Sequence, residues 1–192
     1  MHRLRSRAPS TVRGFTLVEL MVTLVVLAIV LSIGVPSFTG MTNRNKLTSA
    51  SNELVAGLQL ARSEAVRRNM RVAVCPSTDG ATCAGEDWSQ LVVFADADAD
   101  GDVGDDEEVI RNVQVPAGGI QLTPSGNVAT NQRIAFGSEG FARIGDANAR
   151  VGAISVCSSR VDGENTRDVS IEVGRISVTP RNGTDACTGV EN

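Results

Sequence analysis

The sequence predicts an α+β fold, one long N-terminal helix packed on antiparallel β-sheets. Three observations lead there. Phe15 to Val35 is an almost unbroken apolar run, and beyond it Leu47, Ala50, Leu54, Leu58, Ala61 and Ala65 recur at three- and four-residue spacing. After Asn69 the period changes to two, in Arg71-Val72-Ala73-Val74-Cys75 and again in Val169-Ser170-Ile171-Glu172-Val173. Beyond residue 70 the runs are short and separated by Gly, Asn, Asp and Pro, and none has the length of the first helix.

The composition narrows the function classes. The 192 residues fit one domain plus an appendage, with 42% apolar and 21% charged residues. Aromatic residues make up 3% and Tyr is absent, so Val, Leu, Ile and Ala must build the core. The single histidine is His2, which excludes most imidazole catalysis and most zinc sites. A net charge of −4 argues against a generally basic nucleic-acid binder. No Gly-x-Ser-x-Gly or phosphate-binding glycine loop is present, and the chain reads as a non-enzyme.

At the N-terminus, Arg3, Arg5, Arg7 and Arg13 precede the apolar run, with no acid among them. A helix over Phe15–Val35 would span about 31 Å, enough for a bilayer core. The basic flank predicts a cytoplasmic N-terminus and a head across the membrane. A secretory signal would end in small residues, and Leu31-Ser32-Ile33-Gly34-Val35-Pro36 offers no Ala-x-Ala site. A plain anchor leaves Glu19 unexplained, since a carboxylate inside an apolar span is costly.

Gly14-Phe15-Thr16-Leu17-Val18-Glu19 resembles the class III leader of type IV pilins and pseudopilins. The resemblance implies cleavage by a prepilin peptidase between Gly14 and Phe15, followed by N-methylation of Phe15. It also implies that Glu19 pairs with the terminal amine of a neighbouring subunit and sets the axial register. Pro36 matches the family's helix-kinking proline; a helix stop at the membrane surface is the other reading. The expected organisation is a removed leader over 1–14, a transmembrane half-helix over 15–35, a periplasmic half-helix over 36–70 and a β-rich head over 71–192. Residues 37–71 hold six cations, Arg44, Lys46, Arg62, Arg67, Arg68 and Arg71, against Glu53 and Glu64. A solvated helix face, lipid headgroup contact near the membrane and subunit contact farther out all remain open.

Other expected strands are Leu91–Phe94, Val109–Val113, Arg133–Phe136, Ala153–Cys157 and Arg175–Thr179. A long helix, a strand ending in Cys75-Pro76, a short loop to Cys83, then Trp88 and Val93-Phe94-Ala95-Asp96 resemble the GspH/FimT group of minor pseudopilins and minor pilins. That resemblance implies an inner-membrane subunit that helps initiate or cap a short filament, alongside other pilins and an inner-membrane assembly platform. Type II secretion and the type IV pilus are both open as its home. FimT-type members carry a Gly-Arg-x-Arg motif for DNA uptake. Here Gly174-Arg175-Ile176-Ser177 keeps only the first arginine, and Arg181 reaches the same strand face only if Pro180 leaves the strand unbroken. Loss of the leader would take the charge from −4 to −8, so DNA binding is the alternative and not the first reading.

Four cysteines allow three pairings, of which Cys75–Cys83 and Cys157–Cys187 are favoured. A four-thiolate zinc site would need CxxC pairs that the chain lacks. Asp96, Asp98, Asp100 and Gly101, then Glu107, match the calcium-loop pattern D-x-[DN]-x-[DN]-G-x5-E, with Asp102 as a further donor. Val103 takes the aliphatic position of such a loop, but strands and not helices flank it. A solvated hairpin is the other reading. Residues 72–130 carry eleven acids against Arg111 alone, so on sequence the region repels itself unless a cation is bound.

Overall fold

The computed structural model describes residues 14–116, 118–145, 149–183 and 187–190, with the side chains of 34–37 outside that set. Residues 1–13, which the expected leader includes, also lie outside it. Helix α1 (Leu17–Arg68) is followed by β1 (Val72–Pro76), β2 (Gln90–Ala95), β3 (Val109–Gln114) and β4 (Gln121–Pro124). The short helix α2 (Gly126–Ala129) leads to β5 (Ile134–Phe136), β6 (Ala142–Ile144), β7 (Gly152–Cys157), β8 (Thr166–Glu172) and β9 (Arg175–Arg181). The chain divides into two compact units, residues 1–39 and 40–192.

In the first unit, Thr16 precedes α1, and its Oγ1 accepts a 3.2 Å hydrogen bond from the Glu19 N–H. Thr16-x-x-Glu19 is the spacing of a capping box, a start signal that sequence inspection had passed over. From Phe15 to Ile33 every residue is exposed. Among the described residues one helix has the length and hydropathy to cross a membrane, Leu17–Arg68. Pro36 falls inside α1, so the helix does not stop there.

The second unit holds two antiparallel sheets. Strand order is β3-β2-β1-β5-β6 in one and β4-β7-β8-β9 in the other. Leu47, Ala50, Leu54, Leu58, Ala61 and Ala65 are all fully buried, the stripe expected from their spacing. They share a core with Val72, Val74, Leu91, Val93, Ile134 and Phe136 of the first sheet and Ile154, Val156, Val169 and Ile171 of the second. Side chains of opposite parity in the first sheet, Ala73, Cys75, Val92, Phe94 and Ala135, form a smaller outer core. Strand β1 is therefore buried on both faces, although its residues alternate along the chain.

Two strands escaped the sequence reading, β4 and β6. They have four and three residues, too few to show a period of two. Glycines Gly140 and Gly145 flank β6 and read as loop. Pro180 does not break β9: Arg167 faces Pro180 and Thr166 faces Arg181 in register. The strand lies at the sheet edge, where a missing N–H can be accommodated.

Candidate functional site

The acidic loop joins β2 to β3 as a hairpin connection, and three arginines from outside it hold it down. Asp96 is fully buried, and its Oδ2 lies 2.8 Å from Arg71 Nε. Arg71 Nη1 also donates to the Ala99 carbonyl at 2.9 Å. Arg133, just before β5, donates to the Asp100 carbonyl at 2.6 Å and to Asp102 Oδ1 at 3.0 Å. At the end of α1, Arg68 donates to Glu108 Oε2 at 2.5 Å and to Glu64 Oε2 at 2.8 Å. The expected self-repulsion is thus met by guanidinium groups. Counting charges over 72–130 missed them because all three lie outside that window.

These contacts also sort the candidate calcium ligands. Carboxylate oxygens of Asp96, Asp98 and Glu107 come within 4.8 Å of one another. Asp100 and Asp102 are not part of that group: Asp102 is held by Arg133, and Asp100 Oδ1 accepts the Asp102 N–H at 2.8 Å. Of the five carboxylates in the motif, Asp96, Asp98 and Glu107 are thus the ones grouped together. Even these are engaged. Glu107 accepts the N–H groups of Ala97 and Gly104, and Asp96 accepts that of Gly101 as well as holding Arg71. Burial pushes the Asp96 carboxyl up, against the opposing pull of Arg71 and the Gly101 N–H. Gly101 must be glycine, because its φ is +82° and a Cβ would meet Arg133 Nη1 at 2.6 Å. Val103 packs against the outer core and so pins the loop from below.

The cysteines pair as Cys75–Cys83 and Cys157–Cys187, each with Cα atoms 5.6 Å apart. Within the first bridged loop, the Asp79 carboxylate accepts the N–H groups of Ala81 and Thr82, which holds its pKa far below the ordinary range. The second bridge ties residues 187–190 across the outer face of the second sheet. Thr123 Oγ1 donates to the Cys187 carbonyl, and Val190 N–H donates to Ser155 Oγ at 3.2 Å. Ser155 in turn donates to Asp168 Oδ1 at 2.6 Å.

Both arginines singled out for DNA lie on β9, and both already face carboxylates. Arg181 Nε donates to Asp168 Oδ2 at 2.6 Å, and its Nη2 also reaches the Thr188 carbonyl. That pairing raises the Arg181 pKa. Arg175 Nη2 donates to Glu172 Oε2 at 2.8 Å.

The architecture has known counterparts. Residues 50–176 match the family described as type II transport protein GspH, well over half of the chain. The chain belongs to the GspH family. Residues 9–35 match the prokaryotic N-terminal methylation motif. The fold of this GspH-family chain is similar to that of the type IV minor pilin FimU of Pseudomonas aeruginosa. In one crystal form the identity is 24% and the TM-score 0.54, over 73% of this chain and 92% of FimU. In a second form the identity is 24% and the TM-score 0.50, over 69% and 92%. A weaker likeness links it to the minor pseudopilin EpsH of the Vibrio cholerae type 2 secretion system, at 14% identity and a TM-score of 0.44 over 69% of this chain and 94% of that one. No curated protein matches the sequence. Family and fold agree with the GspH/FimT resemblance: the family is that of the type II transport protein GspH, and the fold is similar to that of a type IV minor pilin.

Proposed function

We propose that this chain is a structural subunit, not an enzyme, that enters a filament from the inner membrane after cleavage between Gly14 and Phe15. The observation that carries the reading is one capped helix start, Thr16 to Glu19, placing a carboxylate at the head of an exposed apolar helix. A carboxylate there needs a cation, and the terminal amine of a neighbouring subunit supplies one. Prepilin peptidase makes that amine by removing the leader and methylates Phe15. Other pilins and the inner-membrane assembly platform are then its partners, with the head on the periplasmic side. Type II secretion is the favoured setting, since the family match is to a transport protein.

The test replaces Gly14 by Ala and Glu19 by Ala in separate chains. Gly14→Ala is expected to leave the leader in place, and a normally trimmed N-terminal Phe15 would overturn the cleavage site. Glu19→Ala is expected to leave membrane insertion intact and to impair incorporation beside other subunits. Full incorporation would reject the register role. The DNA-uptake reading is the weaker one, because Arg175 and Arg181 are both spent on carboxylates. Salt-sensitive duplex binding lost on Arg175→Gln would restore it.

A further inference from the structure

Helix α1 divides the charges of the second unit between its two flanks. On one flank Arg68 bonds both Glu64 and, in the acidic loop, Glu108. Arg62 and Val66 each stand two residues from Glu64, about 160° around the helix at roughly 100° per residue, and so belong to the other flank. There the β5–β6 and β8–β9 turns close on them. A Cβ on Gly140 would lie 3.2 Å from Val66 Cγ2 and 3.4 Å from Arg62 Nε. One on Gly174 would lie 3.5 Å from Phe141 Cε1 and 4.0 Å from Arg62 Nη2. Val66, Phe141 and Val173 are 53%, 39% and 42% exposed. Trp88, Phe94 and Phe136 are buried, which leaves Phe141 as the one exposed aromatic of residues 40–192. Arg62 is half-buried, and among the described residues it has no carboxylate within ion-pair distance. The acids of the two turns are already engaged, Glu139 with Arg143 and Glu172 with Arg175. The patch is thus apolar at its centre, polar at its rim and short of one anion, which is the make-up of a protein-docking surface.

We infer that this flank docks the acidic loop of a second copy of the chain. Charge complementarity selects that occupant. Asp98, Asp100, Asp105 and Asp106 are exposed and, among the described residues, in no ion pair. Exposed Ala97 and Ala99 set methyl groups among those carboxylates. The carboxylates meet Arg62 and the methyls meet Phe141. The same patch on two copies would set Arg62 against Arg62, so the contact is head-to-tail and not two-fold. Loop and patch lie on opposite flanks of α1, so each docked copy leaves one of each open and the association is open-ended. All of these residues lie within 40–192, and the contact is independent of how the N-terminus is processed.

The test is sedimentation of the full chain in detergent micelles at low and at high salt. The parent is expected to form a series of sizes that grows with concentration at low salt and shrinks at high salt. Arg62→Glu is expected to weaken association about tenfold. Phe141→Ala is expected to weaken it about fivefold. Asp105→Arg combined with Asp106→Arg should weaken it as Arg62→Glu does. An equimolar mixture of the Arg62→Glu chain with the Asp105→Arg, Asp106→Arg chain should associate again, because each patch then meets a loop of opposite charge. That recovery also shows that both variants are folded. A parent that stays single at low salt, or association that is equal in Arg62→Glu, would overturn the contact. Loss in both variants without recovery in the mixture would overturn the acidic loop as the occupant.

Discussion

Arg71 Nε lies 2.8 Å from Asp96 Oδ2, and that carboxylate is fully buried. The pair joins the start of β1 to the end of β2 and closes the base of the acidic loop. Replacing Arg71 by Ala leaves a buried charge without its partner, which typically costs about 3–5 kcal/mol. Asp96→Asn is expected to cost less, because burial already favours its neutral form. Urea unfolding of the two variants checks the order.

The same pair sets the response to calcium. With Arg71 present, Asp96 is already neutralised, and added calcium is expected to leave the melting temperature unchanged. Arg71→Ala frees Asp96 beside Asp98 and Glu107, and calcium is then expected to restore part of the lost stability. Thermal melts with calcium and with chelator decide it; a rise in the unaltered protein would show that the arginines and a metal coexist.

Acid is expected to loosen the contact between α1 and the loop. Hydrogen bonds from Arg67 and Arg68 hold Glu64 down to about 2, and Arg68 holds Glu108 below its ordinary value. Both carboxyls have folded pKa values below the unfolded ones. Their stabilisation is therefore full above the ordinary carboxylate range and is lost as pH falls through the folded values. Melting temperature against pH should fall less steeply in that acidic window for Arg68→Gln than for the parent chain. Parallel curves would mean the ion pairs carry no stability.

The two disulfides are expected to differ in weight. Cys157–Cys187 closes a 30-residue separation and pins the strap over Ser155 and Asp168, so Cys157→Ser with Cys187→Ser should cost about 2–4 kcal/mol. Exchange at the Val190 amide should rise with it. Cys75–Cys83 closes a separation of only 8, over a turn that Asp79 already braces, and its loss should cost less. Equal losses would show that the strap adds nothing beyond the crosslink.

Removing core volume on the helix stripe should also be strongly destabilising. Leu58 is fully buried between α1 and the sheets, and Leu58→Ala is expected to cost about 2–5 kcal/mol. Chemical denaturation measures it directly.

Much of the fold was legible because its signals are local and periodic. The stripe from Leu47 to Ala65 shows in the spacing because a helix turns once every 3.6 residues. Seven of the strands showed as alternation or as short apolar runs, whereas β4 and β6 are too short to repeat. The capping box at Thr16 and Glu19 was written in the sequence and was overlooked beside the leader motif.

By itself, then, the sequence determined the N-terminal methylation motif, the apolar span, the long helix and the strand-rich head, because each depends on neighbours a few residues away. Only the tertiary structure decided how the charges are used. Arg71 and Arg133 reach the acidic loop and Arg181 reaches Asp168, across distances in the chain that no window of composition covers. An ion pair depends on separation in space, and folding alone brings its partners within reach.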